Sequence, residues 1–378
     1  MIWINFLHLY QPGNIDGRLI KDAVEKSYER IVAALEKNPH IRFTLNISGC
    51  LLLRMDELGY SDLIRRIKTL IEKGQVELTG SASYHPIIPL IPKDEAISQI
   101  KENEQILLKC FNYKPRGFFS PEMAYSPKTS KLIKALGYEW LILDEISAAE
   151  PINRTSAYED RASGLKVIFR SRSISQTFVP ETILALANKN SNETIITATD
   201  GELYGLRHID PQGKLESLLK LTTYKTKTIS EFLDTSSAGP VTLRESTWES
   251  DEDELENGLP FALWYNKNNA IHKELWKLTA LACKTIKTFE KDKNYAWAKW
   301  HLARGMASCM FWWASGKDLR HVFGPICWSP DEIERGTNDL IRSIRALESE
   351  EAKPIKLRAE KLHAKIRYAI WKKHWTNQ

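Results

Sequence analysis

Along the first two thirds of the chain, short apolar or β-branched runs alternate with stretches whose apolar residues recur at helical spacing. The runs fall at residues 3–8, 41–47, 75–79, 116–119, 140–143, 166–170, 194–199 and 241–243. Between them, 20–36, 58–73, 93–111, 128–136 and 215–232 read as helices. A parallel strand can only be reached by a crossover, so strands separated by helices predict parallel βαβ units. About seven such units close into a barrel or extend as an open doubly wound sheet. No Gly-rich phosphate loop follows the first run, which disfavours the dinucleotide-binding version. From about Gly258 onward the strand pattern stops. Residues 269–289, 295–314, 330–350 and 355–375 read as helices, with Pro330 at a helix start. The expected division is an α/β region over 1–257 and a helical region over 258–378.

The helical third is rich in tryptophan, with Trp264, Trp276, Trp297, Trp300, Trp312, Trp313, Trp328, Trp371 and Trp375. Tryptophans at helical spacing mostly pack helices together. The adjacent Trp312 and Trp313 cannot both face one side, so one of them is expected to point toward a cleft. The formal net charge is only +5, and basic residues are interleaved with acids, which argues against nucleic-acid or membrane-surface partners. The N-terminus lacks a basic leader and a small-residue cleavage site, and no apolar run is long enough to span a bilayer. Cys50, Cys110, Cys283, Cys309 and Cys327 are odd in number and widely spaced, fitting neither a disulfide framework nor a paired-Cys zinc site. A reducing, cytoplasmic setting is the expectation.

Chemistry-bearing residues gather where strands end. His8, Tyr10 and Gln11 close the first run and supply donors and acceptors suited to a polyhydroxylated ligand; a satisfied histidine at a strand end competes with that reading. Glu77 lies inside a short strand, where an unpaired charge is costly, so it faces the strand-end mouth or forms a structural pair. Tyr84-His85-Pro86 and the prolines after it make a stiff loop nearby, with His85 a substrate-binding candidate. Glu122 follows a strand on a Pro-flanked, aromatic-rich turn, where desolvating a carboxylate is expensive unless its charge is used. Asp200 and Glu202 end another strand, and Gly201 and Gly205 weaken a simple helix-cap explanation. Arg170 and Arg172 follow a strand and could orient catalytic carboxylates. The indole of Trp248 could stack on a sugar, and residues 251–256 read as a solvated acidic loop. Two carboxylates from separate strand ends suit glycoside cleavage, one attacking the anomeric carbon and one protonating the leaving oxygen. Glu122 and Asp200 are the pair chosen.

The succession His8…Gln11-Pro12, Gly74-Gln75-Val76-Glu77, Phe119-Ser120-Pro121-Glu122, Asp200-Gly201-Glu202-Leu203-Tyr204-Gly205 and Phe311-Trp312-Trp313 resembles glycoside hydrolase family 57. That family holds α-amylases, 4-α-glucanotransferases, branching enzymes, amylopullulanases and α-galactosidases. The resemblance implies an α/β fold, an incomplete (β/α)7 barrel followed by a C-terminal helical bundle, acting on α-glucans with retention and without cofactor or metal. Carried over, Glu122 matches the nucleophile and Asp200 the general acid/base, while His8, Glu77 and Trp313 match positions lining the substrate cleft. Tyr10 stands where the family usually has His, and Ser308-Cys309-Met310 where Ser-Asp-Trp is common. Both changes remove polar groups expected near the sugar and bear on specificity. Two other readings compete. One is a metal-dependent carbohydrate deacetylase, needing an Asp and two His from Asp200, His8, His85 and His208. The other is a glucan-binding protein without turnover.

Overall fold

The structure, a computed structural model, describes residues 1–187, 193–316 and 328–376. Cys327 lies outside the described residues. The chain divides into two compact units, Met1–Ser83 with Ile100–Trp248, and Tyr84–Gln99 with Glu249–Gln378. Residues 84–99, which the sequence order places with the first region, thus cluster with the second.

The first unit is mixed α/β, with ten strands among the described residues: β1 (Ile2–Leu9), β2 (Phe43–Ile47), β3 (Val76–Leu78), β4 (Gly117–Phe118), β5 (Trp140–Asp144), β6 (Ala157–Asp160), β7 (Lys166–Arg170), β8 (Thr194–Asp200), β9 (Lys225–Thr226) and β10 (Ala238–Val241). One sheet runs β3-β2-β1-β8, with β9 pairing the start of β1; the other runs β10-β6-β7-β5-β4. All these pairings are parallel except β6 with β7. Two sets of backbone bonds join the sheets. Gly80 N–H reaches Gly117 O at 2.8 Å and Phe119 N–H reaches Gly80 O at 2.9 Å, while Ser171 N–H reaches Ile196 O at 2.8 Å. Gly117 is fixed by close approach: a Cβ there would sit 2.0 Å from the Trp140 indole.

Side chains alternate faces along a strand, so every second residue shares one face. On that face β1 carries Ile4 and Phe6, β5 Trp140 and Ile142, β7 Ile168, and β8 Ile196 and Ala198, all in one buried cluster with Phe119, Met123 and Trp248. The next residue of the same face is polar in each case: His8, Asp144, Arg170 and Asp200. The register pairs His8 with Asn46 on one side and Asp200 on the other. Two apolar layers are therefore capped by a polar layer at the C-terminal strand ends, the end at which parallel α/β sheets bind ligands.

Several sequence expectations change in detail. Residues 215–232 form not one helix but two, Lys214–Leu219 and Ile229–Asp234, separated by β9. The intervening Thr-rich stretch has low helix propensity, and Thr228 with Glu231 forms a capping box that starts a new helix. The expected strand at 241–243 lies at Ala238–Val241, with Pro240 on an edge strand as its missing N–H requires. The acidic residues 251–256 are not a loop, for Asp251 caps a helix Glu252–Glu256. The first long helix holds a π-helical turn, Val24–Tyr28.

Within the described residues the second unit is helical. Its main elements are Ala270–Thr288, Tyr295–Gly305, Ser308–Trp313, Pro330–Arg345 and Lys353–Thr376. The expected helix over 295–314 breaks after Gly305, because Ser308 turns to bond the loop at 84–99: its N–H meets His85 O at 2.9 Å, and its hydroxyl lies 2.9 Å from His85 Nδ1. Trp276 stacks on Phe311 at 4.2 Å, and His272 Nε2 lies 2.8 Å from Phe311 O, tying helix Ala270–Thr288 to helix Ser308–Trp313. No helix among the described residues is long and apolar enough to cross a membrane.

Candidate active site

Glu122 sits on the turn after β4 with φ 60° and ψ 20°, followed by Met123 at φ 50°. Left-handed backbone at a residue with a side chain costs about 1–3 kcal/mol and must be imposed by its surroundings. Here it is imposed by Trp248, whose backbone N–H bonds Glu122 O at 3.1 Å, and by Tyr125 N–H on Ser246 O at 2.9 Å. The Trp248 indole N–H then donates to Glu122 Oε2 at 2.8 Å. Trp248 is only 7% exposed. It does not offer its indole face to a sugar, as the sequence suggested; it orients a carboxylate.

Trp248 is itself held. The Arg170 guanidinium lies 4.9 Å from its ring centroid. Arg170 Nη2 and Arg172 Nη2 donate to Trp248 O at 3.2 and 2.6 Å. Arg170 also pairs with Asp144, fully buried, at 2.6 Å, and donates to Ala198 O at 2.9 Å. The two arginines therefore act on Glu122 through Trp248, with Asp144 balancing their charge.

His8 lies beside this group, its ring 4.6 Å from Phe119 and edge-on to Trp248 at 6.1 Å. Its Nδ1 is 2.9 Å from Asn46 Oδ1, and Asn46 Nδ2 donates to Thr79 Oγ1 at 3.0 Å. That network assigns the proton to Nδ1 and the lone pair to Nε2. Burial pushes the imidazole down to about 4, against the pull of the Asp200 charge, so His8 is neutral near pH 7. Tyr10 stacks on His8 at 5.7 Å.

Asp200 ends β8 and pairs with Arg207 at 2.9 Å. The turn after it is fixed by the π-helical turn of the first long helix. Ser27 Oγ donates to Gly201 O, and a Cβ on Gly205, at φ 143°, would meet Lys26 O at 2.1 Å. Such π turns concentrate at functional sites. The Tyr28 hydroxyl donates to Glu202 Oε1, which also accepts from Gln11 Nε2 at 2.7 Å. Glu202 is 2% exposed, and burial, with the neighbouring Asp200 charge, raises its carboxyl to about 6. Gln11 and Glu202, both candidates for substrate binding from the sequence, therefore brace each other.

Glu77 departs further. It lies one layer below His8, in register with Thr44, and accepts hydrogen bonds from Thr44 Oγ1 at 3.1 Å, Ser230 N–H at 3.1 Å and the Ser230 hydroxyl. Burial raises its pKa. Its oxygens anchor the start of the helix Ile229–Asp234.

His85, Trp312 and Trp313 belong to the second unit. His85, at φ 59°, is held by Ser308. The rings of Trp312 and Trp313 lie 6.3 Å apart at 59°, as expected for neighbours facing different ways. His208 stacks on Phe178 at 3.8 Å. No group of three or more His, Cys, Asp or Glu among the described residues is placed to hold a metal ion, so the deacetylase reading finds no ligand set there.

The sequence reading missed Tyr28, Asn46, Asp144 and Arg207. Asp144 carried a signal, as the first polar residue of an otherwise apolar strand face, whereas Asn46 follows Thr44 on a face already polar. Tyr28 carried none, because its role depends on a helix docking against a distant turn, and the local pairing of Arg207 with Asp200 was not anticipated.

The model of glycosyl hydrolase family 57 matches residues 10–237, more than half of the chain. An α-amylase of Pyrococcus horikoshii is 36% identical over 148 residues, which is 38% of this chain and 23% of that protein. A 4-α-glucanotransferase of Thermococcus kodakarensis is 29% identical over 150 residues, 38% of this chain and 22% of that protein. The matched segments thus span about a quarter of those relatives. Among solved structures, a 4-α-glucanotransferase from Thermococcus litoralis superposes with a TM-score of 0.73 at 20% identity, over 93% of this chain and 60% of that one. A branching enzyme from Thermococcus kodakaraensis gives 0.70 at 15% identity, over 96% and 94%. The fold is shared at these low identities. Strand-end layout, motif order and sequence match converge, and the chain belongs to glycosyl hydrolase family 57.

Proposed function

We propose that this protein cleaves or transfers α-glucan chains by a retaining mechanism on an incomplete (β/α)7 barrel followed by a helical bundle. The barrel reading rests on the parallel succession β1, β2, β3, β4, β5, β7 and β8, joined across its gaps by the Gly80 and Ser171 backbone bonds. The observation that supports the chemistry is the polar layer at the strand ends: the Trp248 that bonds Glu122 lies edge-on to His8, and Asp200 stands in register with His8.

In this mechanism Glu122 attacks the anomeric carbon as the glycosidic bond to the leaving oxygen breaks. Asp200 gives that oxygen its proton, and a covalent glycosyl-enzyme forms. Asp200, now a base, takes a proton from water or from a sugar hydroxyl, whose oxygen displaces Glu122. Water gives hydrolysis and a sugar gives transfer. The Trp248 N–H keeps Glu122 aimed. Arg207 pairs with Asp200, and the neighbouring Glu202 carboxyl holds a proton in mildly acid solution. Burial and the Asp200 charge raise the Glu202 carboxyl, so a proton on Glu202 relieves repulsion at this turn. Neutral His8 presents Nε2 as an acceptor for a sugar hydroxyl. The proposed setting is the cytoplasm.

Incubation with maltooligosaccharides of one length tests this reading. Shorter products alone indicate hydrolysis, and a ladder extending both ways indicates transfer. An unchanged substrate that nevertheless binds would replace catalysis with glucan binding alone.

A further inference from the structure

The helical unit contains a second constellation that the proposed chemistry does not use. Helices Tyr295–Gly305 and Pro330–Arg345 enclose a cleft of about 490 Å³, lined by Trp297, Trp300, His301, Arg304, Asp339 and Arg342 among others. Trp297 and Trp300 stack in parallel at 4.7 Å and 14°. The Arg304 guanidinium covers Trp300 at 4.1 Å. Trp297 heads this stack and is 54% exposed. His301 and Asp339, both more than nine-tenths buried, meet at 2.8 Å, and Arg304 reaches Asp339 at 3.4 Å. A half-exposed indole on a buried, hydrogen-bonded polar floor is a poor way to build a helix surface, since leaving a large apolar ring in water forgoes its burial. It is a good way to hold a ligand with one apolar face and a polar rim.

Charge selects among such ligands. Arg304 and His301 share Asp339, and Arg345 is engaged by Glu360 at 2.6 and 2.7 Å. The cations are therefore largely balanced by carboxylates, which disfavours a phosphate and leaves planar hydrogen-bonding groups for neutral hydroxyls. A pyranose offers a flat C–H face and an equatorial ring of hydroxyls, which matches an indole plate beside an Arg/Asp/His edge. We propose that this cleft is a non-catalytic docking site for an α-glucan chain, holding polymeric substrate while the strand-end site acts on it. The proposal rests on the glucan-active reading for its choice of sugar.

Native electrophoresis through gels with and without soluble starch tests it, read beside turnover of a short maltooligosaccharide. Trp297→Ala should weaken starch retardation about fivefold, the worth of one aromatic stacking contact, while short-substrate turnover stays unchanged. Trp297→Phe, which keeps a ring, should retain most of the retardation and shows that the loss is not one of folding. Retardation lost in Trp297→Ala with no turnover in any form would uphold the docking site and reject the catalytic reading. Unaltered retardation of Trp297→Ala, or no retardation of the parent protein despite turnover, would overturn the docking site. Tryptophan fluorescence quenched by ATP and not by starch, with the quenching lost in Arg342→Ala, would also overturn it in favour of a nucleotide.

Discussion

The two units place polar groups by different rules. In the first, strand register decides: parallel pairing sets His8 level with Asn46 and Asp200, and two apolar layers beneath exclude water from the polar layer above. A polar group in that layer has a position fixed by many backbone hydrogen bonds at once. In the second unit, helix packing decides, and polar groups appear where helices leave a gap, as His301 and Asp339 do beside Trp300. The first arrangement suits reactions that need carboxylates held to a fraction of an ångström. The second suits adhesion to a repetitive, neutral polymer. Substitutions in the strand-end layer of the first unit should therefore alter chemistry or the framework that holds it, and those in the second, stability or polymer binding without a change in chemistry.

The sharpest test of that contrast is Glu122→Gln. It should lower kcat by about a thousandfold or more with an unchanged melting temperature, as loss of a nucleophile does. Activity near that of the parent would remove Glu122 from the mechanism. Next, Asp144→Ala strands the buried Arg170, and removes a partner of the half-buried Arg172, and should destabilise the fold by about 3–5 kcal/mol in urea titration. A small effect would mean that the arginines find other partners. Trp248→Phe keeps the ring and drops the indole N–H on Glu122. With a charged partner such a bond is worth about 1.5–3 kcal/mol, so kcat should fall about tenfold or more with KM little changed.

Glu202→Gln probes the carboxyl behind Asp200. Its folded value of about 6 lies above the ordinary 4.5, so the folded chain holds a proton there that the unfolded chain releases. Stability from this group therefore falls as pH rises through that window, by about 2 kcal/mol. Glu202→Gln removes the loss, so its unfolding free energy should gain about that much on the parent between pH 4.5 and 6.5. His8, lowered to about 4, contributes a rise with pH over the same range, but in both proteins alike. In the second unit, Gly336→Ala would drive a methyl to 2.7 Å from the Met310 Cβ and should cost about 1–3 kcal/mol without changing kcat.

What was legible in the sequence follows the same division. Strand periodicity exposed the α/β pattern, and the polar residues interrupting it, His8, Glu122 and Asp200, marked the candidate site. Periodicity could not say in which layer a residue would sit, so Glu77 was read as facing ligand although its layer is sealed by Thr44 and Ser230. Nor could it show that Trp248 would turn its N–H on Glu122, because that bond joins residues far apart in sequence. In the helical unit the tryptophans were visible but not their division of labour. Trp276 packs against Phe311, whereas Trp297 stands half in water, and spacing alone is the same for both.

The account depends most on which carboxylate bonds to sugar. A fluorinated α-glucosyl fluoride, which forms the glycosyl-enzyme quickly and releases it slowly, followed by proteolysis and mass spectrometry, reads this directly. The predicted result is one added glycosyl unit on the peptide bearing Glu122. A label on a peptide bearing Asp200 or Glu202, or turnover of substrate with every peptide unmodified, would contradict it.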